Sequence, residues 1–274
     1  MLVFPNCKIN LGLQILSKRE DGYHNLETVF YPVPLRDALE VIQNNSSRDI
    51  QLTTSGILVQ GSSDSNLCIK AYRLLQNDIP QLPPVQMHLH KAIPMGAGLG
   101  GGSADGAFTL QLLNNKFQLG LSQSQLIQYA LQLGSDCPFF ILNQPCHASG
   151  RGEIMSPVQL SLAGYHLLLI NPGIHINTGW AFSELAKTKP KQEAQILETI
   201  IHQPITAWKQ YLVNDFENAI FPHYPEIESI KNNLYHCGAL YASMSGSGSS
   251  VYGIFKNKIE IKLAEKYFSR WLLL

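Results

Sequence analysis

Six glycines fall between positions 96 and 106, inside the run PMGAGLGGGSADGA that spans 94–107. Glycine lets backbone N–H groups approach an anion with no Cβ in the way, and a helix starting at such a loop adds its positive end. This composition is suited to holding phosphate. A ligand-free turn is a poor account of it, because each glycine loses extra entropy on ordering. Gly96, Gly98 and Gly101 also satisfy GxGxxG, the dinucleotide fingerprint. That fingerprint calls for a following strand ending in an acidic residue about 20 positions on, whereas Lys116–Gly120 leads into another helical stretch. A Walker A loop needs lysine after its last glycine, and Gly101 is followed by Gly102 and Ser103. A phosphate loop without its own lysine must take a cation from elsewhere, which brings Lys8 forward. Asp136, in GSDCPFF, stands where a side chain caps a helix with Pro138 in its first turn. It is equally suited to accept the proton of an attacking hydroxyl.

These residues need elements to hold them. Ile9, Leu11 and Leu13 alternate with polar or small residues, so Lys8 opens a β-strand and Asn10 shares its face. Asp21-Gly22 predicts a turn, followed by an apolar and aromatic strand. Shorter strands are expected near Ala38–Ile42 and Ile50–Thr53. Asn66 caps an expected helix that ends before Pro80. Val85–His90 alternates again and feeds the glycine run, after which SADGAFTLQLLN reads as helix. A further helix is expected from Ser122 to Leu133, stopping at Gly134. Beyond about residue 155 the pattern restarts with a strand at Tyr165–Asn171. Two or three helices with polar linkers such as 187–192 follow, then a helix at Glu226–His236. Strands flank a glycine-serine turn at Ser245–Ser250, and an amphipathic helix is expected to close the chain. His88 and His90 share one strand face, but with no HExxH pattern or cysteine partners they are poor metal ligands.

Twenty basic residues balance twenty acidic ones in 274, so no bulk charge draws the chain to nucleic acid or an anionic membrane. Neither kind of partner is expected. The five cysteines form no CxxC pair, which suits reduced thiols and a cytoplasmic location. No run approaches the roughly 20 apolar residues that span a bilayer.

The loop PMGAGLGGGSA resembles the phosphate loop of the GHMP kinases, the superfamily named for galactokinase, homoserine kinase, mevalonate kinase and phosphomevalonate kinase. PNCKINLGL (5–13) is similar to its first motif and SMSGSGSSVYGIF (243–255) to its third, so the resemblance covers almost the whole chain. DGYH (21–24) and GSDCPFF (134–140) resemble the branch whose alcohol substrate is a cytidine-diphosphate-linked methylerythritol. The resemblance implies an α+β fold, with an N-terminal ribosomal protein S5 domain 2-like domain over 1–155 and a C-terminal ferredoxin-like domain over 156–274. It implies ATP and magnesium as cofactors, a small-molecule partner, and phosphorylation of a hydroxyl. It leaves a homodimer open.

Residue by residue, the resemblance makes Asp136 the catalytic base and Lys8 the cation that keeps it ionised. Pro94, Met95, Gly96, Ala97, Gly98, Leu99, Gly100, Gly101, Gly102, Ser103 and Ala104 become the ATP phosphate site, although helix capping would serve Ser103 equally well. Asn10 helps position the hydroxyl. Tyr23 stacks on the cytosine, His24 reads its edge, and Phe182 closes the other face, with Trp180 a competitor for that place. Ser245–Ser250 is expected to approach substrate phosphates through backbone N–H groups. The chain departs from the pattern at PNCK, where PAK is usual, and at GSAD, where close relatives have GSSN. Asp105 thus adds a negative charge near phosphate, and weaker ATP affinity is expected.

Overall fold

The structure is a computed structural model, and it describes residues 1–44, 49–59, 61–188 and 197–274. By packing, the chain forms two compact units, each discontinuous in sequence. The first comprises 1–7, 35–95 and 100–144, and the second 8–34, 96–99 and 145–274.

The first unit is built on a four-stranded sheet. Its strands are β1 (Leu2–Val3), β4 (Ala38–Gln43), β5 (Gln51–Gly56) and β6 (Val85–Lys91), in the order β1-β4-β6-β5; β2 (Asn6–Lys18) and β3 (His24–Arg36) intervene in the chain. β4 runs antiparallel to β1 and β6, while β5 is parallel to β6. The alternation read in Val85–His90 is realised side by side: Val85, Met87 and Leu89 are buried, whereas Gln86, His88 and His90 face solvent. Among the described residues the unit also carries the α-helices α1 (Leu67–Asp78), α2 (Gly101–Phe117), α3 (Gln123–Leu133) and α4 (Cys137–Leu142). The start of α1 is capped as expected, and α3 gains a cap at the residue where its helix was expected to begin. The Asn66 side chain accepts from the Cys68 amide, and Ser122 forms a reciprocal capping box with Gln125. α1 packs on α2, where Gly106 lies against Leu67 so closely that a Cβ would come within 2.9 Å of it.

The second unit carries two sheets. One has the order β2-β3-β7-β8, with β7 (Cys146–Ser149) and β8 (Ile154–Pro157). The other has the order β10-β11-β9-β12, all antiparallel, with β9 (His166–Asn171), β10 (Tyr241–Met244), β11 (Val251–Phe255) and β12 (Phe268–Leu273). The hairpin strands β10 and β11 lie side by side, with the first strand, β9, between that hairpin and the last strand, β12, which is the ferredoxin-like order. The connection from β9 to β10 holds α5 (Thr178–Thr188), α6 (Leu197–Ile201), α7 (Ile205–Tyr211), α8 (Asp215–Ile220) and α9 (Pro225–His236). That is more helices, and shorter ones, than the sequence suggested. The linker expected at 187–192 lies outside the described residues beyond Thr188. One core cluster joins Leu13 and Ile15 of β2 to Leu168, Ile170, Phe216, Ile227, Leu234 and Met244.

The expected closing helix is absent. Residues 268–273 pair with β9 from Asn171 to His166, and Trp271 packs its ring against Phe255 at 5.1 Å. β9 is almost wholly apolar and buried, so leaving its second edge unpaired would strand its backbone polar groups away from water. That demand outweighs the modest helical preference of the leucines in the last turns. No helix among the described residues is long and apolar enough to cross a membrane.

Candidate functional site

In the second unit, Lys8 lies near the start of β2, whose buried length begins at Asn6, and it is only 3% exposed. A lysine so deeply placed must spend its donors on protein. Its Nζ donates to Asn10 Oδ1 at 2.7 Å and more weakly to the carbonyl of Gly98 at 3.4 Å, and it lies 4.8 Å from the centre of the Phe30 ring. Lys8 and Asn10 meet because residues i and i+2 of a strand share a face. Asn10 is fixed in turn, donating through Nδ2 to Thr28 Oγ1 at 2.9 Å, while its backbone carbonyl accepts from the Tyr252 hydroxyl at 2.6 Å.

The phosphate-loop segment turns by repeated left-handed backbone. Gly96, Gly98 and Gly100 have φ of +61°, +76° and +69°, and α2 begins directly afterwards at Gly101. Gly98 is also a point of close approach within the second unit. Its carbonyl accepts from Ser245 Oγ at 2.9 Å, and an added Cβ would lie 1.9 Å from the carbonyl oxygen of Ser245. The glycine-serine turn is held by a residue that sequence reasoning passed over. Asn214 donates through Nδ2 to the carbonyls of Met244 and Gly246, each at 2.8 Å, while its Oδ1 caps α8 through the Phe216 amide. The signal NDFEN shows only the cap, because the loop it holds lies 30 residues on. The amides of Ser245, Gly248 and Ser250 are committed to carbonyls within the unit, at 2.9, 3.0 and 3.3 Å. Phosphate contact through those three amides, part of the expectation for Ser245–Ser250, would require these bonds to open.

The β2–β3 hairpin presents its aromatics differently from one another. Tyr23 is 56% exposed and has the Arg151 guanidinium 4.8 Å from its ring centre. His24 is stacked on Phe182, with ring centroids 4.4 Å apart and planes 8° from parallel, so the structure brings these two expected substrate residues together. That spacing leaves no room for a base between them. Partial burial, aided by Lys18, holds the His24 imidazole below its ordinary pKa and therefore neutral at pH 7. Trp180 turns instead toward His223 and Tyr224.

In the first unit, Asp136 precedes α4 and is half-buried. It occupies the cap position, but its backbone is helical and its side chain makes no capping bond, so the expected cap is not formed by this carboxylate. Beside it, burial pushes the Cys137 thiol up to about 12, which leaves that thiol inert. Ser103 and Ala104 belong to the first turn of α2, where the Ala104 amide already bonds to the Gly100 carbonyl at 2.9 Å. A cavity of about 400 Å³ lies over Thr54, Asn66, Lys91, Gly102 and Asp105. His88 and His90 are engaged with hydroxyls: His88 with Thr53 and Ser55, both at 2.9 Å, and His90 with Ser55 at 3.0 Å.

Residues 66–144 match the GHMP kinases N terminal domain and residues 196–272 match GHMP kinases C terminal. The chain is 54% identical over 262 residues to 4-diphosphocytidyl-2-C-methyl-D-erythritol kinase of Bacteroides fragilis, covering 95% of this chain and 94% of that one. The chain belongs to this family of GHMP kinases. The kinase of the same description from Bacteroides thetaiotaomicron is 51% identical, with 93% and 92% of the two chains covered. Among solved structures, a 4-(cytidine 5'-diphospho)-2C-methyl-D-erythritol kinase superposes with a TM-score of 0.80 at 30% identity, covering 93% of this chain and 90% of that one. The α+β architecture and the ferredoxin-like C-terminal sheet are accordingly those of a GHMP kinase.

Proposed function

We propose that this chain transfers the γ-phosphate of ATP to the 2-hydroxyl of 4-diphosphocytidyl-2-C-methyl-D-erythritol, a step of the non-mevalonate route to isoprenoid precursors. The observation that carries this reading is the near full-length relationship to kinases of that description, with every chemistry-bearing residue named above present. In the reaction the hydroxyl oxygen forms a bond to the γ-phosphorus, the bond from that phosphorus to the β,γ-bridging oxygen breaks, and ADP departs. Asp136 receives the hydroxyl proton. Lys8 supplies the cation that the glycine loop lacks, and Asn10 orients both Lys8 and the hydroxyl.

The glycines between 96 and 102, with Ser103, bind the phosphates through backbone groups at the start of α2, and Ala104 closes the helix turn behind them. The cavity over Lys91 and Gly102 takes the nucleoside. Magnesium enters as part of the MgATP substrate, offsetting phosphate charge. Tyr23 stacks on the cytosine with its open face, and His24 and Phe182, already paired, form the wall beside it. The division into modules 1–155 and 156–274 belongs to this reading, and it is supported by the two family matches, which end and begin on either side of it.

ADP release with 4-diphosphocytidyl-methylerythritol, beside homoserine, mevalonate and galactose, tests the proposal. Turnover of the cytidyl compound alone is expected. Turnover of another alcohol and not of that one would overturn it.

A further inference from the structure

A buried charge cluster in the first unit borders the cavity assigned to the nucleoside and has no step in the reaction just described. Lys91 ends β6, Asp37 is the single residue between β3 and β4, and Asp105 lies in the second turn of α2. Their exposures are 2%, 1% and 3%. The Lys91 ammonium donates to Asp37 Oδ2 and, at 2.7 Å, to Asp105 Oδ2. The second oxygen of Asp37 accepts the backbone amides of Ala92 at 2.6 Å and Ile93 at 2.9 Å, the two residues before Pro94. On the other side of the glycine run, Gly101 sits so close that a Cβ would fall 2.9 Å from Ile93 Cγ2 and 3.5 Å from Lys91 Nζ. The two ends of the phosphate loop therefore meet at one ammonium, with Asp37 gripping the entry and Asp105 the exit.

The arrangement is costly. Two carboxylates share one lysine away from water, and Asp105 Oδ1 has no hydrogen-bond partner among the described residues. Burial, with the Asp37 carboxylate adding to it and Lys91 opposing, pushes the Asp105 carboxyl up to about 7. Cys68 of α1 faces the same cluster, its thiol raised by burial and then by Asp105. We infer that Asp105 is a positioning residue for the nucleotide: by holding Lys91 between α2 and Asp37, it fixes the spacing between the two ends of the phosphate loop. This rests on the reading that the loop holds ATP phosphates.

The test is Asp105→Ala and Asp105→Asn in the whole enzyme, with ADP binding measured by calorimetry beside steady-state kinetics. Asp105→Ala is expected to weaken ADP binding and raise KM for ATP about tenfold, equivalent to roughly 1.4 kcal/mol. KM for the alcohol and kcat at saturating ATP should change by less than about twofold, because only an interaction with the nucleotide is lost. Asp105→Asn, which keeps an acceptor oxygen for Lys91, should restore most of the affinity. If the alanine cavity prevents folding, Asp105→Leu, which leaves a neutral Lys91–Asp37 pair in an apolar wall, should show the same tenfold loss. Unchanged ADP affinity in the folded variant, or equal losses for both substrates, would overturn the inference alone. A wild-type chain that binds no ADP would overturn the nucleotide reading of the loop and the inference with it.

Discussion

Gly98→Ala should disable the enzyme through a clash that can be sized from the backbone. An alanine Cβ at position 98 would lie 1.9 Å from the Ser245 carbonyl oxygen, 2.8 Å from its carbon and 3.2 Å from the Gly248 carbonyl oxygen. All three neighbours are backbone atoms, so no side chain can swing away. Relief demands a shift of roughly 1 Å in one loop or the other, and misplacements of that size at a reacting centre cost about 10²-fold in rate. The same shift stretches the bond from Ser245 Oγ to the Gly98 carbonyl, 2.9 Å in the wild type, and moves that carbonyl relative to Lys8. A left-handed φ of +76° adds about 1–2 kcal/mol for any residue with a Cβ. Gly120 provides the control, since it has φ of +71° with nothing within 4 Å of its added Cβ. Gly120→Ala therefore carries the conformational strain without the collision. The assay is ADP release with thermal melts of both variants. Gly98→Ala should lose about 10² in kcat/KM and on the order of 10 °C in Tm. Gly120→Ala should melt a few degrees low and turn over normally. Equal activity in the two variants would refute the argument that contact with the Ser245 carbonyl sets the loop.

Asp136→Asn should lower turnover by about 10²-fold or more, the usual scale for a lost base. Melts of the variant should accompany the kinetics, because a fall of many degrees in Tm would point to a structural role for the carboxylate and not to a lost base. Tyr23→Ala should raise KM for the cytidyl substrate by about tenfold or more, from a stacking contribution of about 1–3 kcal/mol. KM for ATP, followed in the same assay, should not move. The Asp105 carboxyl, raised to about 7 in the folded chain, holds its proton there at pH values where the unfolded chain has released it. The contribution of Asp105 to stability therefore falls as pH rises from about 4 to 7. Melts from pH 5 to 8 should show wild type losing ground to Asp105→Asn as pH rises, and parallel curves would count against the raised value.

What the sequence made legible is what short-range physics decides. The alternation in 85–90 and the cap Asn66 each depend on neighbours within a few residues, and each stands as read. The last strand does not. Residues 268–273 contain leucines that favour a helix, and they extend because β9, about a hundred positions earlier, offers an unpaired edge. The site divides in the same way. Lys8 and Asn10 could be paired from strand period alone, whereas Asn214 showed its helix-capping oxygen and concealed the amide that holds the loop at 244–246. Asp105 looked like a bare negative charge beside a phosphate loop, and weaker ATP binding was the natural expectation. The fold gives that carboxylate a lysine 14 positions away and a second carboxylate 54 positions beyond it. In the inference drawn above, that pairing with Lys91 holds the ends of the loop, and the ADP affinity of Asp105→Asn beside wild type decides whether the carboxylate weakens nucleotide binding or supports it.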